Sequence, residues 1–125
     1  MKICLAQIDS RIGDLNGNLE RILAAHRRAE YLQADLVVYP ELALSGYPPR
    51  DLLFEPDFLP GIERALELLK NATAPGPPLV VGAPLRSEPG LHNAAVVMHE
   101  GRRVAVQAKR ILPGQDVFHE SRWFV

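Results

Sequence analysis
The sequence predicts an α/β domain that begins with strand-helix-strand crossover units and continues into antiparallel pairing. Three observations predict it. Short apolar runs at 2–8, 35–39 and 79–83 read as buried strands. Between them lie two long stretches whose apolar residues recur at helical spacing. Two further apolar runs, 93–99 and 103–108, flank Glu100-Gly101-Arg102, the composition of a hairpin in which Gly101 takes the turn geometry. At 125 residues with 47% hydrophobic content, the chain suits one domain with a real core.

Each element follows from local chemistry. Lys2 to Ile8 forms the first strand, with Cys4 as a packing group inside it, and residues 9–14 form the loop that leaves it. Asp14 or Asn16 can cap the next helix, expected over Leu15 to Gln33, where Leu15, Leu19, Ile22, Leu23, Ala29 and Leu32 share a face. His26 lies near that face with no second ligand at metal spacing, which makes it a packed or boundary histidine. Asp35 to Tyr39 is nearly all apolar, as a strand covered on both faces would be. Pro40 lacks the amide proton that would extend the ladder, so this strand stops there. A brief helical turn is expected over Asp51 to Phe54, with Pro56 in the first turn of a helix whose apolar face is Phe58, Ile62, Ala65, Leu66 and Leu69. Pro75-Gly76-Pro77-Pro78 makes a stiff loop before the strand Leu79 to Ala83, and Pro84 to His92 is expected to be a loop. Large apolar groups crowd the last residues through Trp123 and Phe124, which fits either a chain that continues or a segment folded back on the core.

Bulk properties exclude several functions. A net charge of -1 and scattered basic residues give no electrostatic basis for nucleic acid or anionic membrane as partner. No apolar run has the length of a membrane span, and a single cysteine fits a reducing compartment, so a cytoplasmic location is expected. Phosphate-loop, dinucleotide-fingerprint, HExxH and Gly-x-Ser-x-Gly motifs are absent. What remains is a carboxylate and an amine. Pro40 delivers Glu41 to the carboxyl end of a strand, where open α/β sheets commonly place their ligand crevice. Taken alone, Glu41 is most simply an exposed loop acid. Lys109, at the end of a later strand, changes that, because such a pair suits a general base beside a cation that stabilises developing negative charge.

Several ordered segments resemble one family. Lys2-Ile3-Cys4-Leu5-Ala6-Gln7 with Gly13-Asp14 and Asn18, then Tyr39-Pro40-Glu41-Leu42 with Ser45-Gly46-Tyr47-Pro48 and Asp51-Leu52-Leu53, then Asn93-Ala94-Ala95, Lys109, Leu112-Pro113 and Val117-Phe118 all fit. The chain is similar to carbon-nitrogen hydrolases of the nitrilase superfamily, and within it to the glutaminase domain of glutamine-dependent NAD synthetases. The resemblance covers essentially residues 1–125 and implies the N-terminal portion of an αββα sandwich. It implies Glu41 as the general base that deprotonates a cysteine, Lys109 as the oxyanion holder, Tyr47 at the border of a glutamine pocket, and Glu120 either as a second structural carboxylate or as an exposed loop acid. Ammonia from glutamine would pass to a synthetase domain or subunit that uses ATP and Mg to amidate nicotinic acid adenine dinucleotide. This portion itself would need no cofactor.

The chain also departs from the family's pattern. The family's cysteine lies well beyond the lysine segment, whereas this sequence ends sixteen residues after Lys109, and Cys4 belongs to the first strand. A chain of this length is therefore expected to be inactive. Gly114-Gln115 stands where the family has Asn-Tyr, and His119 where it has an Asp, which puts substrate contacts from this loop in doubt. Two alternatives stay open: another nitrilase-superfamily amidase, and a truncated, non-catalytic homologue serving as an assembly module. A half-sandwich would leave a sheet face and a hairpin edge bare, so a homo-oligomer is expected.

Overall fold
The computed structural model describes residues 1–115 and 119–125. Val117-Phe118 of the family pattern thus fall outside the described residues. Five strands form one sheet in sequential order: β1 (Ile3–Leu5), β2 (Leu36–Val38), β3 (Leu79–Ser87), β4 (Gly90–His99) and β5 (Arg102–Ala108). The first three are parallel and the last two pair antiparallel. Helix α1 (Leu15–Tyr31) joins β1 to β2, and α2 (Phe58–Ala72) joins β2 to β3. A short 3-10 turn, Arg50–Phe54, precedes α2, and another, Glu120–Arg122, lies near the C-terminus.

Successive crossovers that move in one direction across a sheet, with one handedness, place their helices on the same face. Here α1 and α2 pack against each other and against that face. All five residues expected on the inner stripe of α2 are buried, as are Leu19, Ile22 and Ala29 of α1. Asp14 caps α1 by accepting from the Gly17 amide, and His26 is a packed histidine whose Nε2 lies 2.8 Å from the Pro77 carbonyl oxygen. Cys4, Val37, Leu79 and Met98 line up across the helix face, while Leu5, Val38, Val80, Val97 and Ala105 line up across the other. That second face is only half covered or exposed along its length. The expectation that the second strand is covered on both faces is corrected accordingly: Val37 is fully buried, whereas Leu36 and Val38 are not.

Other boundaries also shift. The loop expected over Pro84 to His92 is strand through most of its length, because β3 runs on to Ser87 and pairs with β4 as far as Gly90. Pro84 does not stop it, for a geometric reason. The carbonyls of Val80 and Gly82 accept from Tyr39 and Leu44 on the β2 side, so by strand alternation Pro84 turns its missing amide toward that same side, beyond the end of the β2 ladder. The first two strands are shorter than their apolar runs, and Pro56 lies in the turn before α2, with Pro60 in the first helical turn instead. The β4-β5 turn is tighter than three residues: His99 pairs with Arg102, and Glu100 and Gly101 both take positive φ, at 49° and 73°. At the C-terminus the segment is folded back, with Phe124 buried and the Val125 amide donating to the Leu91 carbonyl.

Candidate active site
Three strand ends meet at one edge of the sheet. Parallel β2 delivers its carboxyl end there, β4 passes there with Asn93 near its start, and β5, antiparallel to β4, ends there. Glu41, Asn93 and Lys109 occupy those positions. The Lys109 backbone amide donates to the Asn93 carbonyl at 2.8 Å, one step past the last β5 pair. Its Nζ donates to Glu41 Oε1 at 2.8 Å and to both carboxylate oxygens of Glu120 at 3.2 Å.

The four side chains singled out from sequence therefore converge. Glu120 is not the exposed loop acid of one expectation. It is 3% exposed, accepts from Tyr47 Oη at 3.0 Å, and is held by the hydrogen bond from its amide to the Pro113 carbonyl. The C-terminal segment places it, since Phe124 anchors in the core and the Trp123 indole donates to Asp51. His119 is exposed, and Cys4 lies within β1, aligned with buried Val37 on the helix face, away from this edge.

The turn that carries Glu41 is tightly determined. Leu42 is fully buried at φ 50°, a left-handed conformation that a leucine keeps only where its surroundings impose it. They do. Asn18, fully buried in α1, donates to the Leu44 and Arg11 carbonyls, Ser10 donates to the Ala43 carbonyl, and Gly13 donates to that of Ser45. Beneath the turn lies Gly82 of β3. A Cβ there would stand 2.3 Å from the Leu42 nitrogen, 2.7 Å from the Pro40 oxygen and 2.9 Å from the Glu41 carbonyl carbon. Only glycine lets the backbone of the glutamate turn rest directly on the strand.

Electrostatics follow from this packing. Burial works to lower the Lys109 pKa, but hydrogen bonds to Glu41 and Glu120 and their charges outweigh it, so the ammonium is held above its usual range. Burial, and then the hydrogen bond to Glu120, push the Tyr47 phenol up to about 12, so it remains a donor. An ammonium has three N–H bonds. One goes to Glu41, a second direction is shared by the two oxygens of Glu120, and one is left for a further acceptor. Both hydrogen bonds to Glu41, from Lys109 and Asn93, fall on Oε1. Among the described residues Oε2 accepts none. A groove of about 430 Å³ opens beside these groups, lined by Val38, Val80, Gly82, Ala95 and Gln107 as well as Glu41, Asn93 and Lys109. Its walls are small and apolar, which leaves room for a substrate or for further chain.

The fold that brings these groups together is shared with known proteins. The carbon-nitrogen hydrolase family model matches residues 2–124. The chain belongs to the carbon-nitrogen hydrolase family. Among curated relatives, the glutamine-dependent NAD(+) synthetase of Xanthomonas campestris pv. campestris is 44% identical over 126 residues, covering 99% of this chain and 22% of that protein. Among solved structures, the glutamine-dependent NAD+ synthetase of Acinetobacter baumannii superposes with a TM-score of 0.85 at 30% identity, covering 98% of this chain and 23% of that one. An amidase from Nesterenkonia sp. superposes with a TM-score of 0.86 at 28% identity, covering 100% of this chain and 47% of that one. This carbon-nitrogen hydrolase chain thus spans less than a quarter of the synthetases it matches and about half of the amidase.

Sequence reasoning gave no role to Asn93, Asn18 or Gly82. Asn93 stands in a quoted family segment, Asn93-Ala94-Ala95, and a polar residue at the head of the apolar run Ala94 to Met98 is the signal that could have marked it. For Gly82, a glycine inside the apolar run Leu79 to Ala83 points to close backbone approach.

Proposed function
We propose that residues 1–125 are the N-terminal portion of a carbon-nitrogen hydrolase domain that hydrolyses the side-chain amide of glutamine and supplies the ammonia for NAD synthesis. One observation carries the chemistry: Glu41 and Lys109 touch at 2.8 Å beside an open groove, with Glu120 buried behind them. The choice of glutamine rests on the relatives, several of which are glutamine-dependent NAD(+) synthetases.

In this reading the nucleophile is a cysteine thiol supplied by residues outside this stretch, since Cys4 is in β1. Glu41 Oε2, the oxygen without a described partner, takes the thiol proton, and the sulfur bonds to the amide carbon. The carbonyl oxygen becomes negative and accepts the remaining N–H of Lys109. Collapse breaks the C–N bond, and the proton on Glu41 leaves with ammonia. Water then adds to the thioester, giving a proton to Glu41, and the thiol is regenerated as glutamate departs. Tyr47 reaches this site through Glu120, to which its hydroxyl donates, and is not among the residues that line the groove.

Ammonia would pass to an ATP- and Mg-dependent synthetase domain or subunit that amidates nicotinic acid adenine dinucleotide. The described residues offer no grouping of three or more His, Cys, Asp or Glu for a metal ion, and no step above passes through one. No helix of the described residues is long and apolar enough to cross a membrane, and we place the protein in the cytoplasm. The half-covered sheet face, on which Leu5 and Ala105 of the edge strands are exposed, supports a homo-oligomer. A monodisperse monomer in sedimentation would argue against that assembly.

The deciding experiment measures ammonia release by the intact protein that carries these residues, offered glutamine, asparagine and simple aliphatic amides. Preference for glutamine supports the reading. Preference for a simple amide would favour another amidase of the superfamily, an alternative supported by the Nesterenkonia enzyme's match over the whole chain. No hydrolysis of any amide would favour an assembly module.

A further inference from the structure
Resting on the amide-hydrolysis reading, we propose that Asn93 is a positioning residue: it holds the Glu41 and Glu120 carboxylates at a fixed separation around Lys109. Asn93 is 3% exposed. Its single Nδ2 carries two hydrogens and donates to both acids, to Glu41 Oε1 and, at 3.4 Å, to Glu120 Oε2. Its backbone carbonyl accepts the Lys109 amide at 2.8 Å. One residue of β4 therefore donates to both acids and holds the backbone of the lysine.

The residue type matters. Two carboxylates around one ammonium leave an excess negative charge, and the two acids repel each other unless a donor sits between them. A neutral amide places a partial positive charge between the two acids without bringing a cation that would compete with Lys109 for Glu41. The orientation of the amide is fixed by the same chemistry, because turning it over would set Oδ1 against two carboxylates. By occupying Oε1 together with Lys109, Asn93 directs Oε2 of Glu41 to the open side. Among the described residues, the titratable groups around Glu41 are Lys109 after β5, Glu120 from the C-terminal 3-10 turn and Tyr47 from the loop after β2.

Two variants of the intact protein test this, Asn93→Asp, which matches asparagine in size, and Asn93→Leu, which keeps its Cγ branching but is larger and carries no polar atom. With the amide the wild type hydrolyses best, kcat should fall by about 10²-fold in each while KM stays within about threefold. The acidic limb of the Asn93→Asp profile should move to higher pH, since the new carboxylate adds a negative charge between two others. Independently of any substrate, the crystal structure of Asn93→Leu should show Glu41 drawn away from its 2.8 Å contact with Lys109, to beyond about 3.5 Å. Retention of that contact, or of kcat within about threefold with an unshifted profile, would overturn the proposal. Loss of the folded state in both variants would assign Asn93 to the fold and overturn it equally. A wild type that prefers another amide defeats the glutamine assignment and leaves Asn93 in place. A wild type without amidase activity defeats the chemistry, and the structural arm alone then decides whether Asn93 sets the spacing.

Discussion
Gly82→Ala probes how the base is placed without touching any polar group of the site. The added methyl would sit 2.3 Å from the Leu42 nitrogen, 2.7 Å from the Pro40 oxygen and 2.9 Å from the Glu41 carbonyl carbon. Ordinary contact begins near ~3.4 Å, so the glutamate turn must lift from β3 by about 1 Å. Every clashing atom is backbone, and none can swing aside as a side-chain tip would. The turn is also pinned from above by Asn18, Ser10 and Gly13, so the strain is shared between β3 and the turn. Overpacking of this kind costs about 1–3 kcal/mol of stability. With Glu41 in its proposed role, a displacement of about 1 Å at its carboxylate costs ~10²-fold in rate. Thermal unfolding, a crystal structure of the variant and kcat of the intact protein report the two effects separately. A variant that melts with the wild type, keeps Glu41 at 2.8 Å from Lys109 and turns over at the same rate would refute the claim that this glycine exists for the glutamate turn.

Four further outcomes follow from the same contacts. Glu41→Gln keeps the shape of the turn but cannot accept a proton, so kcat in the intact protein should fall by about 10²–10⁴-fold with little change in melting temperature. Tyr47 has its pKa raised to about 12, so folding favours the neutral phenol; the stability this adds is present below the ordinary tyrosine value near ~10 and is lost as pH rises through about 12. Comparing phenolate absorbance and alkaline unfolding of wild type and Tyr47→Phe should isolate that titration, and an identical pair of curves would count against it. Asp14→Ala removes the acceptor for the Gly17 amide and should lower the melting temperature; because this hydrogen bond, first among its causes, depresses the Asp14 pKa, the difference should shrink as pH falls through the carboxylate range. Leu66→Ala empties a fully buried position on the inner face of α2 and should cost about 2–5 kcal/mol in denaturant unfolding, with a loss under 1 kcal/mol showing that the helix is loosely packed.

Legibility from sequence tracked locality. The inner stripes of α1 and α2 were readable because a helix repeats its buried face every three to four residues, and Pro40 announced the end of β2 because a missing amide has the same consequence wherever it stands. The run Pro84 to His92 misled for a complementary reason. A proline breaks a ladder only if its amide faces a partner, and which side β2 vacates is a property of the sheet. Glu120 was ambiguous by itself, since an acid beside polar neighbours looks the same in a loop or a site. Burial of Phe124 and the Trp123 contact to Asp51 decide its position.

By itself, the sequence determined the order of strands and helices, the helix faces that form the core, and the carboxylate and lysine at strand ends whose surrounding motifs point to carbon-nitrogen hydrolases. Those are properties of neighbours along the chain. The tertiary structure decided that Glu41, Asn93, Lys109 and Glu120 share one set of hydrogen bonds, that Gly82 is the floor of the glutamate turn, and that one face of the sheet stays open. These depend on where β2 meets β3, which sets Glu41 beside residues 52 and 68 positions away, on the β4-β5 pairing that sets Lys109 beside Asn93, and on the common side taken by both crossover helices. Glu41 stands in this hydrogen-bonded set because of what the sheet brings beside it.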